Sequence, residues 1–278
     1  MEKALQLDVS VPFDASRLPD TVSGIWLYRH SDRELVMRYV QTLIHEMEES
    51  AEDWSDVRID AVRLVGGTVH ALNNRQLDML MEAVRRLFRL TADCEIVGTV
   101  SPGFFNTLPT EAMKAHSVSA LMDVPSFDRE ECQRRGMPYR GALSFGDVTD
   151  AGISVFGVRT LCGLADRTAA AWAAAADAIV RRKPNVVELA DAGETEDAVQ
   201  RAAFDARLAA LGYGAYEKNS YALVSPVSRM HPQGESLGVG LGALCCFDGY
   251  ETRNTQDIRL YLDADGDFAK ICASEKPI

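Results

Sequence analysis

Along this chain, short stretches in which apolar and polar residues alternate are followed by longer stretches in which apolar residues return every three or four positions. Leu5 to Val11 reads LQLDVSV, a period of two that predicts a half-buried strand. Asp32 to Glu49 switches to helical spacing, with Ser31 placed to cap it. The exchange then repeats. A strand over Ile59 to Val65 closes on Gly66-Gly67, and a helix over Asn74 to Leu90 carries Leu77, Leu80, Met81, Val84 and Phe88 on one face. Further strands are expected at Cys94 to Val100, Ser117 to Val124, Ile153 to Cys162 and Asn185 to Leu189. Helices are expected at Pro109 to Ala115, Phe127 to Arg135, Thr168 to Arg181 and Glu194 to Leu211, the last stopped by Gly212. From Tyr213 the rhythm breaks into two longer strands, Ala215 to Leu223 and Leu237 to Phe247, and Gly238, Gly240 and Gly242 alternate within the second.

Strand–helix units in series predict a parallel sheet with right-handed crossovers. The expected fold class is α/β, a partial, open β/α barrel of about six parallel strands. Residues 1–212 would form the barrel and 213–278 a short C-terminal β extension on the same domain. Ligands of such folds sit at the C-terminal strand ends. Here those are Pro12-Phe13-Asp14, Gly66-Gly67-Thr68, Thr99 to Pro102, Asp123 to Ser126, Gly163-Leu164 and Glu188 to Ala190.

Composition narrows the function classes. A net charge of −12 argues against a nucleic-acid surface, which needs Lys and Arg against phosphate. The short basic run Arg181-Arg182-Lys183 suits the C-terminal end of a helix. No apolar run approaches the roughly 20 residues that span a bilayer, and MEKALQLDVSV has no signal-peptide pattern, so a cytoplasmic location without a membrane partner is expected. The cysteines Cys94, Cys132, Cys162, Cys245, Cys246 and Cys272 form no CxxC pair and read as small, mostly buried residues. The histidines His30, His45, His70, His116 and His231 show no H-x3-H or H-E-x-x-H spacing, so no metal site is expected among them. His45 is expected at the surface and His70 in a loop at the rim.

Several segments in order carry a further signal: VSVPFD, VRLVGGTVHAL, EIVGTVSPG, DVPSFD, CGLADRTAAAW, LGYGAYEKNSYA and SLGVGLGALC. They resemble, at compatible spacing, the strand ends of the radical S-adenosylmethionine (SAM) proteins of the oxygen-independent coproporphyrinogen III oxidase type, including the related heme chaperones. The resemblance runs from about Leu5 to about Leu262. It implies a [4Fe–4S] cluster held by CxxxCxxC in the first loop, but Asp14, Leu18 and Thr21 stand at those positions. Iron of such clusters needs soft thiolates. The resemblance also implies SAM contacts. Of these Gly66, Gly67 and Thr68 are kept, while Thr99 replaces a carboxylate, Pro125 a glutamine, Ser119 an arginine and Arg159 an aspartate. An acid-to-base change inverts the local field, and Arg159 would pair with an acid such as Glu188.

Three functions follow from this pattern. The first is a pseudoenzyme with no catalytic residues, no cluster and no SAM, which binds a partner protein (an active radical SAM relative among them) or a small ligand. The second is a heme or tetrapyrrole binder using His231 and Cys245 as axial ligands. The third is an enzyme with re-purposed, cluster-free chemistry in the barrel mouth, using groups such as Arg159, Glu188, Asp191 and Cys162.

Overall fold

A computed structural model describes residues 4–14, 28–29, 32–101, 108–137, 139, 151–153, 155–165, 167–193, 198–217, 219–223, 235–264 and 266–277. In chain order the elements are β1 (Ala4–Val11), β2 (Phe13–Asp14), β3 (Tyr28–Arg29), α1 (Arg33–Asp53), β4 (Arg58–Gly66), α2 (Asn74–Leu87), β5 (Arg89–Val100), α3 (Thr110–Ala115), β6 (Val118–Asp123) and α4 (Arg129–Arg134). They continue as β7 (Phe156–Cys162), α5 (Ala169–Val180), β8 (Val186–Asp191), α6 (Ala198–Ala210), β9 (Tyr213–Glu217), β10 (Ser220–Leu223), β11 (Ser236–Val239), β12 (Leu244–Phe247), β13 (Tyr250–Asn254), α7 (Ile258–Asp263) and β14 (Cys272–Pro277). The expected strand–helix alternation is present. No helix among the described residues is long and apolar enough to cross a membrane.

The chain forms two compact units. Residues 1–99, 106–118 and 233–278 make the first, and residues 100–105 and 119–232 the second. The segment after residue 212 is therefore shared: β9 and β10 belong to the second unit, β11 to β14 to the first.

In the first unit the strand order is β14-β13-β12-β11-β1-β4-β5, with β11, β1, β4 and β5 parallel and β12 to β14 antiparallel. Leu5, Leu7, Val9 and Val11 of β1 are buried, as is the stripe Val36, Tyr39, Val40, Leu43 and Met47 of α1. Alternation on the strand and helical spacing on α1 are what build this core. Helix α1 packs on α2, and α2 on α3. Asp32 caps α1 by accepting from Leu35 N at 2.9 Å, whereas Ser31 lies outside the described residues. Helix α2 starts in a capping box between Asn73 and Gln76. It stops at Leu87, before the expected Leu90, because Arg89 and Leu90 pair with Arg58 and Ile59 and open β5 early. Sheet pairing here overrides helical periodicity.

In the second unit the order is β6-β7-β8-β10-β9, with β6, β7 and β8 parallel and β10 antiparallel to both β8 and β9. Helices α5 and α6 pack together through Trp172 and Phe204, whose rings meet edge-on at 5.1 Å, and Phe204 continues to Tyr221 of β10.

Two expected strands are each a hairpin. Ala215 to Leu223 divides into β9 and β10 at Asn219, which has φ +72°. Leu237 to Phe247 divides into β11 and β12, so Gly240 and Gly242 lie in the turn, at φ +100° and +66°, and only Gly238 lies in a strand. Glycine is what permits that turn.

Candidate functional site

The strand ends of the first unit hold the retained glycine pair. Gly66 ends β4 with φ +91°, which a side chain disfavours. Gly67 lies against the backbone of Val11 and Phe13: a methyl group there would stand 2.1 Å from Phe13 O and 2.4 Å from Val11 O. Thr68 N donates to Phe13 O at 3.1 Å, and Thr68 and Thr99 are both buried. Both glycines are thus required by the chain's own path. His70 lies in the 3₁₀ turn Val69–Ala71 and is buried, not at the rim as expected, because that turn tucks Val69 and Ala71 into the core with it. His45 is exposed. His116 is buried and shares a 2.7 Å hydrogen bond with Asp78, while His30 and His231 lie outside the described residues.

The cysteines are spread over β5, α4, β7, β12 and β14. Burial pushes the Cys94 thiol up to about 12, and it also raises Cys132, Cys162, Cys245 and Cys246. At the first loop, Asp14 ends β2, and Leu18 and Thr21 lie outside the described residues. An aliphatic side chain such as that of Leu18 has no electron pair to give a metal. The residues present do not fit an iron–sulfur cluster. Among the described residues no group of three or more His, Cys, Asp or Glu side chains is arranged to hold a metal ion.

For the heme alternative, Cys245 is half-buried on β12, and its thiol is raised by burial and further by the Asp8 carboxylate. Cys246 is also half-buried.

In the second unit, strand register lines up a polar row. Asp123 of β6 pairs with Arg159 of β7, Arg159 with Glu188 of β8, and Glu188 with Ser220 of β10. Arg159 Nε donates to Asp123 Oδ1 at 3.2 Å. Arg159, Glu188 and Ser220 are buried, and Asp123 is partly open to solvent. The row alternates acid, base, acid and hydroxyl across four strands. One acid that Arg159 meets is Asp123, on the strand to the side opposite Glu188.

The pleat sorts the four groups named for the third reading onto two faces. Arg159 and Cys162 are three apart on β7, and Glu188 and Asp191 three apart on β8, so each pair points to opposite faces. Cys162 instead stands beside Asp191 in register, and Asp191 and Arg201 of α6 both act on its thiol. Tyr221, on that same helix-covered face, receives Arg201 at 2.6 Å and donates to Asp205 at 2.5 Å.

Between these strands, the turn after β6 is tied by buried charge. Glu131 accepts from Arg167 Nε at 3.1 Å, and from Arg167 Nη2 and Ser126 Oγ. Arg167 Nη1 also donates to Leu161 O at 2.8 Å, and its guanidinium lies 4.5 Å from the Trp172 ring centroid. Arg167 and the serine pull the Glu131 carboxyl below its ordinary range against its burial. Sequence reading placed Asp123 at a strand end but missed Glu131 and Arg167, whose signal was faint: an acid in a short helix and a base 36 residues further on.

The parallel strands with covering helices define an α/β fold with an open sheet. The whole chain superposes on coproporphyrinogen III oxidase (HemN) from Escherichia coli, a radical SAM enzyme, with a TM-score of 0.76 at 16% identity, covering 100% of this chain and 72% of that one. The expected fold is borne out; identity this low carries the fold alone. The archaeal Methanocaldococcus infernus Elp3 superposes with a TM-score of 0.41 at 12% identity over 67% of this chain and 45% of that one, too distant to support an argument. No protein-family model matches the sequence, and no curated protein does.

Proposed function

We propose that this chain uses a radical SAM-type barrel without cluster chemistry and acts by binding a small ligand or a partner protein. The observation that carries the reading is the donor set Asp14, Leu18 and Thr21 where the fold family has its three cluster cysteines. The strand-end geometry supports it. Gly66 and Gly67 answer to backbone demands of the fold, so their retention needs no bound SAM. In the second unit the row Asp123, Arg159, Glu188 and Ser220 offers charges of both signs to a polar ligand.

The test is iron and acid-labile sulfide analysis after strictly anaerobic purification from cells with an active cluster-assembly system, with SAM titrated by calorimetry. The expected result is neither iron nor sulfide in stoichiometric amount, and no SAM binding. About four irons per chain, the content of a [4Fe–4S] cluster, would overturn the reading.

A further inference from the structure

Helix α1 places one carboxylate on its apolar stripe. Glu46 is buried between Leu43 and Met47, and everything that meets it comes from far along the chain. Gly240 N donates to Glu46 Oε2 at 2.8 Å, Tyr261 Oη donates to the same oxygen at 2.6 Å, and Asn254 Nδ2 donates to Oε1 at 2.8 Å. Beside it, Tyr39 Oη donates to Ser10 O at 2.9 Å and accepts from Leu241 N at 3.0 Å. The Tyr39 and Tyr261 hydroxyls are also hydrogen-bond neighbours. Gly240 is held to glycine by φ +100° and by Tyr39 Oη, 2.7 Å from where a methyl group would stand. One side chain of α1 therefore fastens the β11–β12 turn, β13 and α7.

We propose that Glu46 is a proton-responsive fastener of the C-terminal strands and helix of the first unit, tight when protonated and looser when ionised. The hydrogen-bond chain can hold either form without stranding a buried donor. With Glu46 ionised, Tyr261 donates to it. When Glu46 takes one proton from solvent, its O–H donates to Tyr261 Oη, and the Tyr261 hydroxyl turns to Tyr39 Oη, which has a lone pair to spare. The two states differ in solvation. An ionised carboxylate is kept from water at a cost that three donors offset only in part.

The direction agrees. Burial pushes the Glu46 carboxyl up to about 7, with Glu49 adding to the rise and Tyr261, Gly240 and Asn254 opposing it. A carboxyl raised by the fold contributes stability that is complete below its ordinary range, near 4.5, and is lost as pH climbs through about 7. Opening of the segment should therefore become easier with rising pH, by up to roughly 300-fold between the limits, the ratio set by a shift of about 2.5 units. The other charged or titratable groups on the elements that meet here are Arg33, Glu34, Arg38, His45, Glu48, Glu49, Glu52 and Asp53 of α1, Asp8 of β1, Glu251 and Arg253 of β13, and Arg259 and Asp263 of α7. Among these, Asp8 titrates in an overlapping window, since burial raises it to about 6 against the pull of Arg63 and Gln6.

The experiment is amide hydrogen exchange of residues 244–263 at pH 5.5 and pH 8, corrected for intrinsic exchange, on the parent, Glu46→Gln and Asp8→Asn. In the parent and in Asp8→Asn, protection should fall at the higher pH; in Glu46→Gln it should be the same at both. Dependence that persists in Glu46→Gln, or is missing from the parent, overturns the proposal. If Glu46→Gln fails to fold, carbon-13 titration of the Glu46 carboxyl in the parent decides: a midpoint near 7 supports the fastener, and one in the ordinary carboxylate range ends it.

Discussion

Two turns at strand ends are held by opposite means. The turn Gly66-Gly67-Thr68 in the first unit is built on missing side chains: the Val11 and Phe13 backbone occupies the space a Cβ would need. The turn after β6 in the second unit is built on charge: Ser126 and Arg167 converge on a buried Glu131. Both arrangements are made by the chain's own groups.

The comparison can be broken in three ways, from the largest expected effect downwards. Gly67→Ala should destabilise the chain by about 4 kcal/mol or more, since the clash is with backbone that cannot step aside; urea unfolding measures it. A loss below about 0.5 kcal/mol, as at an ordinary surface site, would mean the turn has room after all. Arg167→Ala should cost about 3–5 kcal/mol, the loss typical of leaving one buried charge unpartnered. Replacing both Glu131 and Arg167 by Leu should recover much of that loss. A double variant as unstable as the single one would show that the turn needs something other than its charges. Arg159→Ala should cost only about 1–2 kcal/mol, because water can reach the Asp123 carboxylate it leaves behind. A much larger loss would place Arg159 with the structural charges of the neighbouring turn.

Much of the architecture was legible because its signals are local. Period-two alternation located β1, β4, β6, β7 and β8, and helical spacing located α1, α2 and α5, each to within a few residues. The misjudged boundaries fell where partners decide. Arg89 and Leu90 continue a helical pattern but pair as strand, and Gly240 and Gly242 continue a strand pattern but turn. Of the site, the glycine pair and Arg159 could be named from sequence, but not what each touches. Glu46 could have been suspected as the one acid on the buried stripe of α1; its partners could not, being 194 to 215 residues away.

By itself the sequence determined the order and type of the elements, because periodicity and side-chain chemistry reside in neighbouring residues. Tertiary structure alone decided which face each charge occupies and which backbone lies on Gly67. It parted Arg159 and Glu188 from Cys162 and Asp191, since strand register and pleat fix side-chain direction across partners remote in the chain. It also turned Glu46 inward to three donors, an arrangement that exists only once residues 240, 254 and 261 have come home to α1.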